Sequence, residues 1–439
     1  MDLQQPDLLD KLRQQFNSTP YPRIGVAEPP NLNPLNLYVH NLVTPYYLRQ
    51  QKVTDTRDKV ILDAGCGSGY KALSLAIANP GAKIIGVDIS EASVKVAQER
   101  LEHHGFKDAK FYAMSLEDLP QLGMQFDYIN NDEVLYLIPD PAAGLQAMQS
   151  VLKPEGIIRT NLHSKRQRRM YTRAQQLCKL LGLMDGNPED AEIEMLGGLM
   201  RSLKSTIDLN GVWRRKFETN PKETLANHLL VGDKNFTILD LFQLLQGANL
   251  EFVRMVDGWT WNLNDLFKTS ENLPDSLKEF LSPLSVADQL HVFELLQPIH
   301  RLLDFWCGHP GQGNSFTPVA EWTVGQWNEA KIHLHPQLQT KDFRAEVSLS
   351  LSQSHPLEIS RYLPTLSNSI LDGSLVANII LPLGEAPRSL SELVQRSQQI
   401  YPYNLQTLEP VSPPEISQTI INALTTLESV GCVLLELPT

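Results

Sequence analysis

The ten residues Val60-Ile61-Leu62-Asp63-Ala64-Gly65-Cys66-Gly67-Ser68-Gly69 constrain this 439-residue chain more than any other segment. An apolar run passes into an acid and then into three glycines at alternate positions, the pattern of a buried strand turning sharply into a helix. A second apolar run, Lys83-Ile84-Ile85-Gly86-Val87-Asp88, ends on another acid 19 residues after Gly69. Together they describe a βαβ unit that holds a nucleoside-bearing cofactor at the carboxyl edge of a parallel sheet. The dinucleotide fingerprint G-x-G-x-x-G fails, because the sixth position counted from Gly65 is Tyr70. An acid ahead of the turn repels a pyrophosphate and suits a cofactor bearing a positive ammonium and sulfonium. Asp88 is then placed to accept both hydroxyls of a ribose.

The elements that follow keep a βα rhythm. Ser90 reads as a helix N-cap, Val94, Ala97 and Leu101 as its core stripe, and Gly105 as its stop. Strands are expected at 109–114, 126–130 and 157–161, with a helix opening at Asp140 and a turn at Lys153-Pro154-Glu155-Gly156. A helix is expected from Phe236 to Leu245, a sixth strand from Leu250 to Val256 and a closing strand near Leu302–Trp306. Strands alternating with helices imply a doubly wound parallel sheet.

The motif residues and this rhythm resemble the class I methyltransferases, over about 58–163. The resemblance implies S-adenosylmethionine as cofactor, with Asp63, Gly65, Cys66, Gly67, Gly69, Asp88 and Ile89 around it. Ser115-Leu116-Glu117-Asp118-Leu119-Pro120 is similar to the family's adenine-binding turn, which often has Asp where this chain has Ser115; the hydroxyl or the Leu116 amide is expected to substitute. The implied fold class is α/β, a doubly wound (Rossmann-like) core with a helical insertion and a C-terminal α+β winged-helix-like domain. The expected division is 1–55 as an N-terminal lid segment, 56–163 as the cofactor-binding core, 164–310 as insertion and last core strands, and 311–439 as a regulatory or interaction domain. The breaker cluster His309-Pro310-Gly311-Gln312-Gly313-Asn314 marks the last boundary. This layout is similar to bacterial protein-lysine methyltransferases that carry a C-terminal regulatory region.

Composition narrows the partners. A net charge of −12 argues against a surface that tracks nucleic-acid phosphates. The stretch 362–439 carries seven acids against two arginines, the wrong sign for a DNA reader, so it reads as a protein-contact or dimerisation piece, with a homodimer as one outcome. Four scattered cysteines without a C-x-x-C pair and an N-terminus without a basic flank or apolar core fit free thiols in the cytoplasm, with no metal site and no membrane span. The basic runs Lys165-Arg166-Gln167-Arg168-Arg169 and Arg214-Arg215-Lys216 read either as solvated helix faces or as docks for an acidic partner.

Beyond His309, strand alternation is expected at Ile332–His335 and again at Ala345–Leu349, then helices at 389–400 and 414–430 and a terminal strand from Cys432.

Methyl transfer from a sulfonium needs alignment more than acid catalysis, because the leaving group is a neutral thioether. The loop Asn130-Asn131-Asp132-Glu133-Val134-Leu135-Tyr136 faces the acceptor and lacks the N-P-P-Y, D-P-P-Y and Pro-Cys patterns of several base and amide methyltransferases. Asn130 is expected against both cofactor and acceptor, Asp132 and Glu133 to hold a cationic acceptor or take its proton, and His163 to serve as a base. Tyr46, with Tyr21, Tyr47, Trp259 and Trp261, is expected to build an aromatic slot; Thr19 to Arg23 belongs to the same arm. The expected acceptor is an N or O nucleophile, with a protein side chain as the first candidate to carry it. Two alternatives stand beside it, a small-molecule methyltransferase and a non-catalytic sensor of the cofactor.

Overall fold

The computed structural model describes residues 5–18, 20–268, 273–313, 315–364, 370–403 and 408–438; Thr19 and Asn314, named above, lie outside them. The strands β1 (Val60–Ala64), β2 (Lys83–Asp88), β3 (Lys110–Ala113), β4 (Phe126–Asn131), β5 (Leu152–Ser164), β6 (Asn235–Phe236), β7 (Glu251–Met255) and β8 (Leu302–Gly308) form one sheet. Its order is β3-β2-β1-β4-β5-β8-β7, with β6 added beside β5. β1, β4 and β5 run parallel, and β8 lies antiparallel between β5 and β7. This is a doubly wound, Rossmann-like α/β sheet dominated by parallel strands.

The local sequence explains the helices that link these strands. Ser90 caps the helix Glu91–His103 by accepting the Ser93 amide at 3.0 Å. Asp140 caps Pro141–Ser150 by accepting from Ala142 and Ala143, and Pro141 fits the first helical turn, where no amide partner is needed. Thr237 and Asp240 close a capping box at the start of Ile238–Gly247, so this helix begins two residues later than expected, after the short strand β6. The expected turn at 153–156 is a bulge inside β5 instead. Phe126 pairs with Leu152 and Tyr128 with Ile157, and Lys153 reaches across to Asp127 at 2.7 Å.

The described chain divides into two compact units. The first holds Met1–Glu28, Val60–Ala72 and Ile84–Pro310, and the second holds Pro29–Lys59, Leu73–Lys83 and Gly311–Thr439. In the first, inward residues such as Leu62, Val87, Phe126, Ile129, Ile158 and Phe305 are fully buried around the sheet. The second carries a three-stranded antiparallel sheet with Lys331–Leu334 between Arg388–Ser389 and Val433–Glu436. The helix Pro413–Ser429 buries Ile416, Ile420, Leu424 and Leu427 along one face. Tyr47 belongs to this unit; its hydroxyl donates to Glu428 at 2.9 Å and accepts the Leu435 amide at 3.2 Å.

One expected strand is a helix. Ala345–Leu349 lies inside Lys341–Gln353, which is capped by Thr340 and buries Phe343, Val347 and Ser350. The alternation of Ala345, Val347 and Leu349 imitates a strand, but the buried positions are spaced four and three apart and follow the helical period.

Candidate functional site

The candidate cofactor residues converge on the carboxyl edge of the parallel strands. Gly65, Gly67 and Gly69 all have positive φ, at 90°, 49° and 78°. A side chain at Gly65 would collide with Val134 and one at Gly67 with the Tyr21 carbonyl, so the loop tolerates no Cβ at either place. The loop is held by main-chain bonds. The Gly65 and Cys66 amides both donate to the Val87 carbonyl, and the Ser68 amide donates to the Tyr21 carbonyl at 2.8 Å.

Asp88 stands at the end of β2, half-buried. Its two oxygens accept the amides of Gly67 and Ser90 at 2.9 Å each, which ties the glycine loop to the second strand. Burial raises its pKa against those two hydrogen bonds. Ile89 follows it, half-buried, and Cys66 is buried beneath the loop, its thiol pKa driven up by burial and by the Asp88 and Asp63 carboxylates. Ser115 caps the short 3-10 segment Leu116–Leu122 beyond β3, with Leu116 buried behind it.

Asp63 is the unusual member. It is buried at the end of β1, and burial pushes its carboxyl up to about 7 although Asn130 hydrogen-bonds to it. Asn130 donates to Oδ1 at 2.8 Å, while Oδ2 is buried without a hydrogen-bond partner. A carboxylate oxygen left so is an acceptor awaiting a donor.

Below the loop runs a buried polar network. Asn130, fully buried, links Asp63 to Arg159, whose Nη1 donates to the Asn130 side-chain oxygen at 2.9 Å. Arg159 also pairs with Asp304 through two bonds of 3.1 and 2.6 Å and reaches Asp132 at 3.3 Å. Asp132 receives Asn161 at 2.6 Å and the Lys71 ammonium at 2.8 Å, and only 5% of its side chain is exposed. Asn130 and Asp132 are therefore supports; their polar atoms are spent on the network, not turned to an acceptor.

His163 is likewise enclosed. Its Nδ1 donates to Asp233 at 2.7 Å, its Nε2 accepts from Arg301 at 3.1 Å, and the Tyr136 ring stacks on it with centroids 3.7 Å apart. Burial lowers its pKa over the opposing pull of Asp233. Both ring nitrogens are engaged, so the imidazole expected as a base is a neutral structural link. Asp233 in turn accepts from Arg168 and Gln175.

Glu133 differs from its neighbours. Its φ is 61°, a left-handed conformation costly for a residue with a Cβ, and its amide is held by the Asn161 side chain at 2.8 Å. Its carboxylate pairs with Arg301 while 35% of the side chain stays exposed. Tyr21 lies near it: burial and then the Glu133 charge hold the phenol above its ordinary pKa. Tyr46 is placed elsewhere in the division of the chain. It belongs to the second unit, where it is 3% exposed with the Lys59 ammonium 5.6 Å above its ring, and Tyr38 and Tyr47 are buried there too. Trp261 is packed inside the first unit, donating to Asp257 and stacked on His300.

Several residues went unread in the sequence. Arg159 and Asp304 interrupt the apolar runs Ile157–Ile158 and Leu302–Trp306, and opposite charges in two buried strands call for each other. Arg100 gave no such signal; it is fully buried and donates to the carbonyls of Ser68, Gly25 and Ile24 at 2.8, 2.7 and 2.7 Å.

Among the described residues no His, Cys, Asp and Glu cluster suits a metal ion, and no helix is long and apolar enough to cross a membrane. Residues 55–206 match the family described as a methyltransferase domain. An uncharacterized protein of Synechococcus sp. is 30% identical over 63% of this chain. A ubiquinone biosynthesis O-methyltransferase of Actinobacillus pleuropneumoniae is 33% identical over 29% of it. The aligned stretches span 64% and 51% of those two relatives. PKMT2 from Rickettsia typhi, solved in complex with AdoHcy, superposes with a TM-score of 0.59 at 14% identity, covering 92% of this chain and 76% of that one. That likeness is one of fold.

Proposed function

We propose that this chain, a member of the class I methyltransferase family, transfers a methyl group from S-adenosylmethionine to a nitrogen or oxygen nucleophile. The observation that carries the reading is the unpartnered Asp63 Oδ2 beside a glycine loop closed onto Asp88. In this reading Asp63 receives the α-ammonium, the glycine backbone borders the methionine part, and the free lone pairs of Asp88 receive the ribose hydroxyls. Ser115 and Leu116 border the adenine.

The cofactor supplies an activated methyl whose departure leaves a neutral thioether, so the protein contributes alignment, worth up to about 7–11 kcal/mol for well-oriented partners. Glu133 is the group assigned to the acceptor. Its exposed carboxylate, fixed by Arg301, accepts a hydrogen bond from the nucleophile's N–H or O–H and takes that proton as the new bond forms. Asn130, Asp132, Arg159 and His163 hold the floor and wall in place without touching the reacting atoms. The acceptor is read as a protein side chain; the relatives named for ubiquinone biosynthesis favour, as a second reading, an oxygen of a small molecule.

The test pairs binding with turnover. Calorimetry with S-adenosylhomocysteine should give a clear isotherm for the native chain and none for Asp88→Ala; equal affinity would refute the assignment. Incubation of methyl-tritiated cofactor with a bacterial lysate then separates the acceptors: protease-sensitive, acid-precipitable label means a protein, and organic-extractable label means a metabolite. No label above the Asp88→Ala background would end the enzymatic reading.

A further inference from the structure

All five backbone amides of the glycine loop are already engaged. Those of Gly65 and Cys66 donate to the Val87 carbonyl, that of Ser68 to Tyr21 and that of Gly69 to Cys66, at 2.8 to 2.9 Å. The Gly67 amide donates to Asp88 at 2.9 Å. A ligand whose methionine part borders this loop therefore finds no main-chain donor in Gly65–Gly69. The amino-acid end of S-adenosylmethionine is a zwitterion, and Asp63 answers only its ammonium. A carboxylate taken out of water without a donor is costly, so a second group must meet it.

Lys71 stands in the first turn of the helix Tyr70–Ala78, directly beyond the loop. Its ammonium lies 2.8 Å from Asp132 and has no other partner among the described residues, while 44% of the side chain is exposed. An ammonium carries three N–H donors, so this one keeps donors to spare. Asp132 is itself fixed by Asn161 at 2.6 Å and Arg159 at 3.3 Å, which gives the lysine a firm post to lean on. Burial works against the charge and Asp132 outweighs it, so Lys71 holds its proton more firmly than an ordinary lysine. Its charge acts on Asp63 and on Glu133, the groups assigned to the two ends of the reacting pair. The neighbouring arginines are committed elsewhere. Arg159 is buried and bonds Asn130, Asp132 and Asp304; Arg301 bonds Glu133 and His163; Arg100 holds main-chain carbonyls.

We propose that Lys71 receives the α-carboxylate of the cofactor, with Asp132 as the positioning residue that aims its ammonium. The assignment rests on the reading of Asp63 as the partner of the α-ammonium. A carboxylate from β1 and an ammonium from the helix that follows it match a group bearing both charges on one carbon. The pair also makes the site selective: a nucleoside thioether that lacks the carboxylate loses one of its two charged anchors, and one that lacks the amine loses the other.

Calorimetry on the full chain tests this with S-adenosylhomocysteine, its decarboxylated form, which keeps the amine, and its deaminated form, which keeps the carboxylate. The native chain should bind S-adenosylhomocysteine about 10–100-fold more tightly than the decarboxylated form, the usual worth of a hydrogen bond between charged groups. This comparison needs no variant. Lys71→Met should abolish the difference by weakening S-adenosylhomocysteine and the deaminated form while sparing the decarboxylated one. Lys71→Arg, which restores the cation, should recover part of the preference. Asp132 keeps Arg159 and Asn161 in both variants, and an unchanged near-ultraviolet circular dichroism spectrum verifies that they are folded. Equal affinity of the native chain for S-adenosylhomocysteine and its decarboxylated form would overturn the proposal and leave methyl transfer standing. So would a Lys71→Met variant that weakens all the ligands alike. No binding of S-adenosylhomocysteine to the native chain would overturn both the assignment of Lys71 and the reading beneath it.

Discussion

Asp63→Asn should make the ligand-free protein more stable while costing it the cofactor. The carboxyl, ordinarily near 3.8, is pushed up to about 7 by burial. A folded-state pKa above the unfolded one means the folded state holds a proton that the unfolded chain gives up. Stability is thus unaffected below about 3.8, falls as pH rises towards 7, and stays at its lower level above that. The full displacement corresponds to about 4 kcal/mol, an upper figure because relaxation around a real ionised group lowers it. Asparagine is neutral at every pH and can still accept from Asn130, so the variant should recover much of this at pH 8 and nothing at pH 4. The assay is the denaturant midpoint of both ligand-free proteins at those two pH values. The same charge should control affinity in the native protein. A positively charged ammonium selects the ionised form, so binding should weaken about tenfold between pH 8 and pH 6 and release a proton, measurable by calorimetry in buffers of different ionisation heat. The variant should bind about 10–100-fold more weakly and without that pH slope. A variant no more stable than the native protein at pH 8, or binding that ignores pH between 6 and 8, would refute the reasoning.

Gly67→Ala should abolish binding of S-adenosylhomocysteine and lower the melting temperature, since the new methyl meets the Tyr21 carbonyl at a residue with φ of 49°; a normal isotherm would contradict it. Arg159→Met should destabilise by about 3–5 kcal/mol, because Asp304 and Asn130 lose their buried donor, and thermal denaturation at pH 7 reads this directly. His228, boxed in by Tyr171, Trp213 and Phe217 with neither ring nitrogen hydrogen-bonded, is pushed down to about 4 by burial. The unfolded chain therefore takes up the proton first as pH falls, so stability is whole above about 6.5, declines towards 4 and then levels off. His228→Phe should flatten that decline by on the order of 3 kcal/mol in acid denaturation, and an unchanged acid profile would count against it.

The parts of this molecule that read well from sequence are those set by neighbours along the chain. The turn from Asp63 to Gly69 is a local conformational demand, and the caps at Ser90 and Asp140 are contacts over two or three residues. The antiparallel β8 was legible as an apolar run, Leu302–Trp306. The acceptor side was harder because its meaning depends on distant partners. His163 looks like a base until Asp233 and Arg301 close on it from 70 and 138 residues away. Asn130 and Asp132 look like substrate ligands until Arg159 and Lys71 consume their oxygens. Ala345–Leu349 failed for a different reason: a five-residue window holds too little periodicity to separate a strand from one turn and a half of helix.

The grip of Arg100 on the segment after Tyr21 has a consequence for how much change this protein tolerates. The arm meets the cofactor loop through the carbonyls of Tyr21, Pro22, Ile24 and Gly25, received by the Ser68 amide and hydroxyl and by the guanidinium. Main-chain oxygens are the same whatever side chain follows them. Substitutions along residues 23–26 should accumulate without loosening the closure, whereas replacing the single arginine, far off in the chain, undoes two of its fastenings at once. Robustness here is distributed unevenly: a forgiving strand of sequence is anchored by one unforgiving residue.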